Sequence, residues 1–290
     1  MTRRTLEDVA RAAGVSLATA DRALNGRAGV REQTRRKIEN AAQRLSYRPD
    51  RAAVALARGQ RWRFCFVLPV GDNVFMSQLA EAVREAIDSL VAGGRQVVTL
   101  VSDVPTSRRH HYVGLANFAA GRTAGTLLAR FVGARLGTVG VIAGSLALRD
   151  HAERLAGFVQ ALSEVAPHLD VAATREGRDD RERTREATQD LLDAHPGLVG
   201  LYVIGAGKRG AAAVLEQARR ASDIVFVGHE LTPDTRRFLL SGTMDAVVNQ
   251  DAGHEARSAA RILLAYCEDR AINAAQERIR IDVFVKDNLP

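Results

Sequence analysis

Two short amphipathic helices separated by a glycine dominate the N-terminal sequence, between Thr5 and Leu24. Thr5 can cap the first helix and Ser16 the second, because each side-chain oxygen can accept a hydrogen bond from an unpaired backbone N–H. Gly14 lies between them, where the chain needs a tight turn. The apolar residues that would pack the two helices together are Val9, Ala10, Ala13, Val15, Ala20 and Leu24. This spacing predicts a helix-turn-helix, whose second helix enters the major groove of DNA.

The same pattern is compatible with an ordinary helical hairpin, and the charge distribution favours the DNA-binding interpretation. The chain has 41 basic and 34 acidic residues, of which residues 1–63 hold 15 and 6. The first fifth of the chain therefore carries a net charge of +9, whereas the remainder carries −2. A positive excess confined to one small domain is the electrostatic signature of nucleic-acid binding.

A third helix, predicted over residues 32–45, would close a small core because its apolar residues recur at helical spacing. Pro49 follows it and disfavours a helical conformation in the preceding residue. A short apolar segment, residues 49–60, then begins with a proline and contains Gly59 near its end, as short helices do. Such a helix is too short to be stable alone. It requires a partner, either DNA or a second copy of itself.

Residues 4–60 resemble the DNA-binding headpiece and hinge helix of the lactose-repressor (LacI/GalR) family of transcription regulators. The matching residues are Thr5-Leu6-Glu7-Asp8-Val9-Ala10, Ala13-Gly14-Val15-Ser16, Thr19, Arg22, Leu24-Asn25-Gly26, Val30, Thr34, Tyr47-Arg48-Pro49 and Ala53–Leu56. The resemblance implies a homodimer that binds a roughly palindromic double-stranded DNA operator and acts as a repressor of transcription.

The resemblance also implies a set of residues at the DNA interface. These residues are Thr5, Ser16, Leu17, Ala18, Thr19, Asp21, Arg22, Asn25, Thr34, Tyr47, Ala53 and Leu56. The second helix would present Leu17, Ala18, Asp21 and Arg22 outward, while the hydroxyl-bearing residues and Asn25 would contact phosphates or set their geometry. Leu56 would be an apolar wedge, since a leucine inserted between base steps unstacks and bends the duplex.

The side chains of the second helix limit what it can recognise. Leu17 and Ala18 carry no hydrogen-bonding group and can offer only apolar contact, for instance to a thymine methyl. Arg22 is therefore the best candidate for a directional contact, most naturally to guanine. Asp21 stands where the family usually has serine. Its carboxylate must face away from the phosphates, pair with an arginine, or accept from a cytosine amino group.

From about residue 61, apolar strands alternate with amphipathic helices, which predicts α/β architecture with parallel sheets covered on both faces. The predicted domains are a headpiece (1–48), a hinge helix and linker (49–60), and an effector-binding and dimerisation core (61–290). The core resembles that of the same family, which is built like the periplasmic sugar-binding proteins. The resemblance implies two lobes that close over a small molecule.

Ligands of such sheets bind at the carboxyl ends of the strands. By position, the candidates for an effector pocket are Phe75, Asn117, Arg154, Glu230 and Gln250. An aromatic face stacks on a sugar ring, and amide, guanidinium and carboxylate groups form directional bonds to hydroxyls. We therefore expect a sugar or polyol effector, although each residue taken singly could also be a surface or capping residue.

The first core lobe departs from the family pattern because about two βα units, roughly forty residues, are absent. The seam lies near residues 90–94, and the shortened lobe would expose apolar surface and lose one wall of the pocket. Ala116 and the segment Gly205-Ala206-Gly207 also replace residues that are usual in the family. The alternative reading is a deletion variant with a damaged core that binds DNA without an effector response.

Other classes of protein are disfavoured by the motifs. No apolar run approaches the length of a membrane span and no signal peptide is recognisable, so we expect a cytoplasmic protein with no membrane partner. The histidines lack metal-ligand spacing, and no nucleophile or phosphate-loop motif is complete. We therefore expect no catalytic residue, no metal and no cofactor. Cys65 and Cys267 are predicted to be reduced core residues.

Overall fold

The computed structural model describes residues 5–24, 28–45, 47, 88 and 91–290. The chain divides into two compact units, Met1–Cys65 and Phe66–Pro290. Several predicted features lie outside the described residues: the hinge helix at 49–60, the strand at 64–69 and nearly all of the helix at 77–90. Cys65 lies outside them as well.

In the described part of the first unit, three helices match the prediction: α1 (Leu6–Ala13), α2 (Leu17–Leu24) and α3 (Glu32–Arg44). Their shared core consists of Val9, Ala10, Ala20, Ala23, Ile38 and Ala41. Most of these side chains are alanines, so the core buries little apolar area per residue and the free energy that it contributes is correspondingly small. Larger side chains, among them Leu6, Val15 and Leu24, are half-buried against this core.

The start and end of α1 are both capped. The Asp8 N–H donates to Thr5 Oγ1 at 3.3 Å, and the Thr5 N–H donates to Asp8 Oδ2 at 3.0 Å, forming a capping box. Gly14 ends the helix with φ 66°, a left-handed conformation that glycine adopts without steric cost. Gly14 thus begins the turn that separates α1 from α2.

The second helix of the motif is fixed at both of its ends. At its start, the Thr19 N–H donates to Ser16 Oγ at 3.1 Å, as the predicted cap requires. At its end, Arg35 Nη1 on α3 donates to the Ala23 carbonyl at 2.7 Å. A cation near the last carbonyls of a helix is favourable because it complements the helix dipole. Arg35 thus links α3 to the end of α2.

The second unit is built on two sheets. A two-stranded parallel sheet pairs β1 (Val98–Leu100) with β2 (His111–Val113). The larger sheet contains β3 (Gly137–Ala143), β4 (Leu169–Val171), β5 (Arg175–Glu176), β6 (Leu198–Val203), β7 (Val225–His229), β8 (Ala246–Asn249) and β9 (Asp282–Phe284). Its order is β4-β3-β6-β7-β8-β9, with β5 also paired to β3. The β8–β9 pair is antiparallel, whereas the other strand pairs of this sheet are parallel, as predicted.

Helices cover both faces of the larger sheet. They are α4 (Asn117–Val132), α5 (Arg149–Val165), α6 (Arg181–Ala194), α7 (Lys208–Gln217), α8 (Pro233–Ser241), α9 (Ala252–Cys267) and the short α10 (Ala274–Glu277). One apolar cluster joins the sheet to α4, α5 and α9, and the other joins it to α6, α7 and α8. Along β7, Val225 and Val227 belong to the first cluster and Phe226 to the second. This alternation is the two-residue period of a strand buried on both faces.

Helices α4 and α5 touch backbone to backbone at several glycines, among them Gly121 and Gly157. A Cβ on Gly121 would overlap the carbonyl oxygen of Arg154, and a Cβ on Gly157 would overlap that of Phe118. The close approach sets the depth at which α5 lies against α4, and it therefore sets the position of Arg154.

Two smaller observations complete the fold. Cys267 is a free thiol at the end of α9 and is half-buried, whereas the sequence analysis expected a core residue. Within the described ranges, no helix is long and apolar enough to span a membrane.

Replacing Gly157 with alanine should lower the free energy of unfolding by about 1–3 kcal/mol, because the added methyl group forces α4 and α5 apart. Gly197→Ala is the matched control, since a Cβ there meets no atom within 4 Å and the expected change is within about 0.5 kcal/mol. Urea unfolding of both variants measures the difference. Equal stability of the two variants would contradict the close helix contact.

Candidate DNA-binding surface and effector pocket

The exposed face of α2 carries three of the predicted base-contacting residues. Leu17, Ala18 and Arg22 are exposed, and the Leu17 side chain retains 46% of its accessible surface. The opposite face holds Ala20 and Ala23, both buried in the core. The helix therefore presents an apolar patch and one guanidinium group, which together can contact base edges and a thymine methyl.

The remaining predicted DNA-binding residues differ in what they contact. Asp21, predicted on the outward face of α2, is half-buried. The Ser16 and Thr19 hydroxyl oxygens lie 2.8 Å apart, so these two groups already hold each other at the start of α2. Thr5 serves the capping box of α1, and Thr34 is half-buried in the first turn of α3.

Tyr47 packs against the apolar core of the first unit and donates its backbone N–H to the Ala42 carbonyl at 2.9 Å. Its backbone and ring therefore have a structural role, which does not exclude a phosphate contact by the hydroxyl group. Asn25, Ala53 and Leu56 lie outside the described residues. The DNA-contacting roles of the whole set stay predictions.

Arg154 is the centre of a polar network at the carboxyl ends of the strands in the second unit. Its side chain is only 1% exposed. Nε donates to Asn117 Oδ1 at 2.9 Å, Nη2 donates to Gln250 Oε1 at 3.3 Å, and Nη1 lies 3.5 Å from the Ile204 carbonyl. A buried guanidinium is tolerated only when its N–H groups have such partners.

Glu230 joins this network directly after β7. Lys208 Nζ lies 3.3 Å from Glu230 Oε2 and also donates to the Gly205 carbonyl at 2.8 Å. Gln250 Nε2 donates to Glu230 Oε1 at 3.4 Å, and Arg154 Nη1 lies 4.0 Å from the same atom. Burial alone would raise the pKa of Glu230, but Lys208 and Arg154 outweigh it and the pKa is lowered. Glu230 is thus ionised at neutral pH.

The backbone of Glu230 is itself unusual. Its φ is 64°, a left-handed conformation that costs a residue with a side chain about 1–2 kcal/mol. The backbone N–H of Glu230 donates to the Val248 carbonyl at 3.0 Å, which ties the residue to β8. Strain of this kind is found where the surrounding structure requires a particular side-chain direction.

A small cavity extends the network toward β2. Its volume is about 100 Å³, and its lining residues are Asp103, Tyr112, Asn117, Arg149, Asp150 and Glu153. Asn117 Nδ2 donates to Tyr112 Oη at 3.4 Å, and Tyr112 Oη donates to the Val101 carbonyl at 2.8 Å. Ligand pockets typically occupy about 300–1,000 Å³. Phe75, which is predicted to line this pocket, lies outside the described residues.

The structure thus brings Asn117, Arg154, Glu230 and Gln250 into one connected network, whereas the position of Phe75 is outside its described part. Their roles in effector binding stay predictions. Among the described residues, no group of three or more His, Cys, Asp or Glu side chains is placed to hold a metal ion.

Sequence reasoning missed two further polar residues of this region. Lys208, directly after the segment Gly205-Ala206-Gly207, is buried beside Glu230. His229 Nε2 lies 2.6 Å from Tyr202 Oη. Burial, together with Arg154 and Lys208, holds the pKa of His229 well below its usual value, so its ring is neutral at neutral pH. Its strand position could have indicated burial, but no sequence signal indicated the Tyr202 contact.

Two protein-family profiles match the chain. The profile described as "Bacterial regulatory proteins, lacI family" matches residues 5–50. The profile described as "Periplasmic binding protein domain" matches residues 69–271. The first match covers the three described helices of the first unit, and the second covers most of the second unit.

Similar curated proteins match the N-terminal part of the chain. Catabolite control protein A of Staphylococcus epidermidis is 40% identical over 81 residues, which are 28% of this chain and 25% of that protein. Catabolite control protein A of Streptococcus mutans is 42% identical over 81 residues, which are 28% of this chain and 24% of that protein. The chain therefore matches about a quarter of the length of these relatives.

Solved structures of sugar-binding proteins share the fold of the core. The glucose-galactose binding protein GanP from Geobacillus stearothermophilus has a TM-score of 0.69 and 26% identity, over 82% of this chain and 91% of that one. A solute-binding protein from Burkholderia graminis in complex with D-arabinose has a TM-score of 0.68 and 23% identity, over 82% and 89%. The core thus has the architecture of the periplasmic binding proteins.

The pair formed by Lys208 and Glu230 should show a coupling free energy of about 1 kcal/mol in a double-mutant cycle of Lys208→Met and Glu230→Gln. The Glu230 side chain is 36% exposed, and solvent screening keeps the coupling below that of a fully buried pair. Because the pKa of Glu230 is lowered from 4.5, the coupling should be constant above pH 4.5 and decline as pH falls through the lowered pKa.

Chemical unfolding of the four proteins between pH 3 and pH 8 measures this coupling. The exposed pair of Arg185 and Glu182 on α6, with Nε and Oε2 2.8 Å apart, provides the matched control. Its coupling should be about 0.3–0.5 kcal/mol. A coupling at the buried pair no larger than this control would show that Lys208 does not stabilise the ionised Glu230.

Proposed function

We propose that this chain is a ligand-responsive repressor. It belongs to the family of periplasmic binding protein domains and carries a lacI-family helix-turn-helix domain. The chain is a DNA-binding regulator similar to catabolite control protein A over its N-terminal part. The proposal adds that a homodimer binds a palindromic operator and that a sugar or polyol changes its operator affinity. It includes a cytoplasmic location and no catalytic activity.

The DNA-binding half of the proposal is supported by the exposed face of α2. Two copies of this helix, related by a twofold axis, would enter successive major grooves of a palindromic site. Arg22 would donate two hydrogen bonds to guanine, and Leu17 and Ala18 would contact a thymine methyl. The predicted hinge helices would pair and insert Leu56 into the minor groove at the centre of the operator.

The effector-binding half is supported above all by the network around Arg154, where Asn117, Glu230 and Gln250 meet at the carboxyl ends of the strands. Donors and acceptors are interleaved here, so vicinal hydroxyls of a sugar could each give and receive a hydrogen bond. The 26% identical glucose-galactose binding protein makes hexoses the first candidates.

Effector and operator would be linked through the angle between the two lobes of the core and the order of the hinge helices. If a sugar binds one lobe arrangement more tightly, it must shift operator affinity by the same factor as the operator shifts sugar affinity. The direction of the shift decides between induction and co-repression.

The alternative function is a regulator with a damaged core that binds DNA without responding to an effector. The observation that favours it is the small sheet formed by β1 and β2, each three residues long, in the described part of the first lobe. In that case the second lobe would still allow two headpieces to pair, and DNA binding would be constitutive.

One experiment separates these possibilities: selection of tight-binding duplexes from a random pool, followed by titration of the selected duplex with D-glucose, D-galactose and D-arabinose. A palindromic consensus and an affinity that one sugar changes would support the proposal. A palindrome with no response to these sugars would favour the constitutive alternative. A half-site or no enrichment would contradict the dimeric operator.

Replacing Arg22 with alanine should weaken binding to the selected duplex by about 10- to 100-fold, because a bidentate contact to guanine contributes about 1–3 kcal/mol. Binding to a scrambled duplex should weaken much less. Arg130→Ala removes the same charge from the exposed end of α4 and is the matched control. Fluorescence anisotropy measures the affinities of the wild type and both variants for both duplexes. If Arg22→Ala loses equal affinity for the two duplexes, Arg22 contributes only nonspecific charge.

A further inference from the structure

Glu255 is a buried carboxyl group that the predicted pocket did not include. It lies in the first turn of α9 and is only 2% exposed. Its Oε1 atom has no hydrogen-bond partner, and Thr184 Oγ1 is the other such side-chain atom in the described part of the chain. Buried polar atoms are nearly always hydrogen-bonded in native proteins, so an unpaired carboxyl oxygen requires an explanation.

Glu255 follows Gln250, which contacts Arg154, by five residues and lies in the first turn of the helix that begins there. Its carboxyl group interacts electrostatically with Arg154 on α5, Glu230 after β7 and Asp251 at the start of α9. It also acts on Tyr112 of β2, whose hydroxyl group lies beside the cavity. The N–H groups of Arg154, however, are directed to Asn117, Gln250 and the Ile204 carbonyl. Arg154 therefore attracts Glu255 without donating a hydrogen bond to it.

The charge of Glu255 is unfavourable in the absence of a ligand. Burial raises its pKa to about 7, Arg154 opposes this rise, and Glu230 and Asp251 add to it. An ionised carboxylate without a hydrogen-bond donor is costly in a buried site. A ligand that supplies the donor would remove that cost, and its binding would favour the ionised form.

We propose that Glu255 is an effector-binding residue, whose unpaired oxygen accepts a hydrogen bond from a ligand hydroxyl group in the pocket around Arg154. This inference rests on the proposed function, because it requires a polyol in that pocket. The inference adds one requirement and one consequence. The ligand must carry a hydrogen-bond donor that reaches Glu255, and its binding must release protons near neutral pH.

The test compares the full-length wild type with Glu255→Gln by titration calorimetry, using D-glucose, D-galactose and D-arabinose at pH 6 and pH 8. If the ligand binds only the ionised carboxylate, a pKa of about 7 makes wild-type affinity rise about tenfold between these pH values. Glu255→Gln should bind at least tenfold more weakly at pH 8 and lose the pH dependence. Glu186→Gln, on the exposed side of α6, removes an equal charge as the matched control.

Proton release gives a readout that a merely structural role would not change. At pH 7, the binding enthalpy of the wild type should vary with the ionisation enthalpy of the buffer, and that of Glu255→Gln should not. If the wild type binds a sugar and Glu255→Gln binds it equally well at both pH values, the inference is overturned and the proposed function stands. If none of the three sugars binds the wild type, the sugar-responsive function is overturned instead.

The stability of the ligand-free protein tests whether the Glu255 carboxylate lacks a hydrogen-bond donor. A carboxyl pKa raised from 4.5 to about 7 on folding makes the wild type lose stability as pH rises from 4.5 to 7, with no further loss above that range. Glu255→Gln lacks this loss, so its unfolding midpoint should rise relative to that of the wild type from pH 5 to pH 7, and the difference should level off above pH 7. A pH-independent difference would show that the carboxylate already has a donor, which overturns the inference.

Discussion

A guanidinium group that is almost fully buried imposes strict conditions on everything around it. Arg154 can remain charged in the interior only because separate elements bring acceptors to it: Asn117 from α4, Gln250 after β8 and the carbonyl that follows β6. Its own position depends on Gly121, which lets α4 approach the Arg154 backbone. The polar network, the helix contact and the convergence of the strand ends are therefore parts of one arrangement.

The elements that were predictable from the sequence are those specified by local pattern. The first unit was predictable because its caps are short-range: Thr5 with Asp8, and Ser16 with Thr19. The parallel core strands were recognisable as apolar runs between amphipathic helices. Four of the five pocket candidates meet in the structure because the carboxyl ends of parallel strands share one edge, a rule that needs no knowledge of side-chain packing.

The features that the sequence analysis missed depend on distant contacts. Strand β9 forms the edge of the sheet and pairs antiparallel with β8, a pairing between distant segments that no local pattern encodes. Lys208 and Glu255 acquire their environments from neighbours far away in sequence, so neither residue type nor spacing indicated a buried charge. Helix α8 is a different case, since its Thr232 cap and Pro233 start were readable signals that the analysis passed over.

The left-handed backbone of Glu230 determines how a substitution at this position would change the stability of the protein. Glycine would relieve the strain at that position, at the loss of the carboxylate that Lys208 and Gln250 hold. Glycine would also leave the buried Lys208 ammonium without its carboxylate, a loss of stability that opposes the relief of strain. The charge pair thus keeps the strained residue in place, and selection for heat tolerance alone would not replace it.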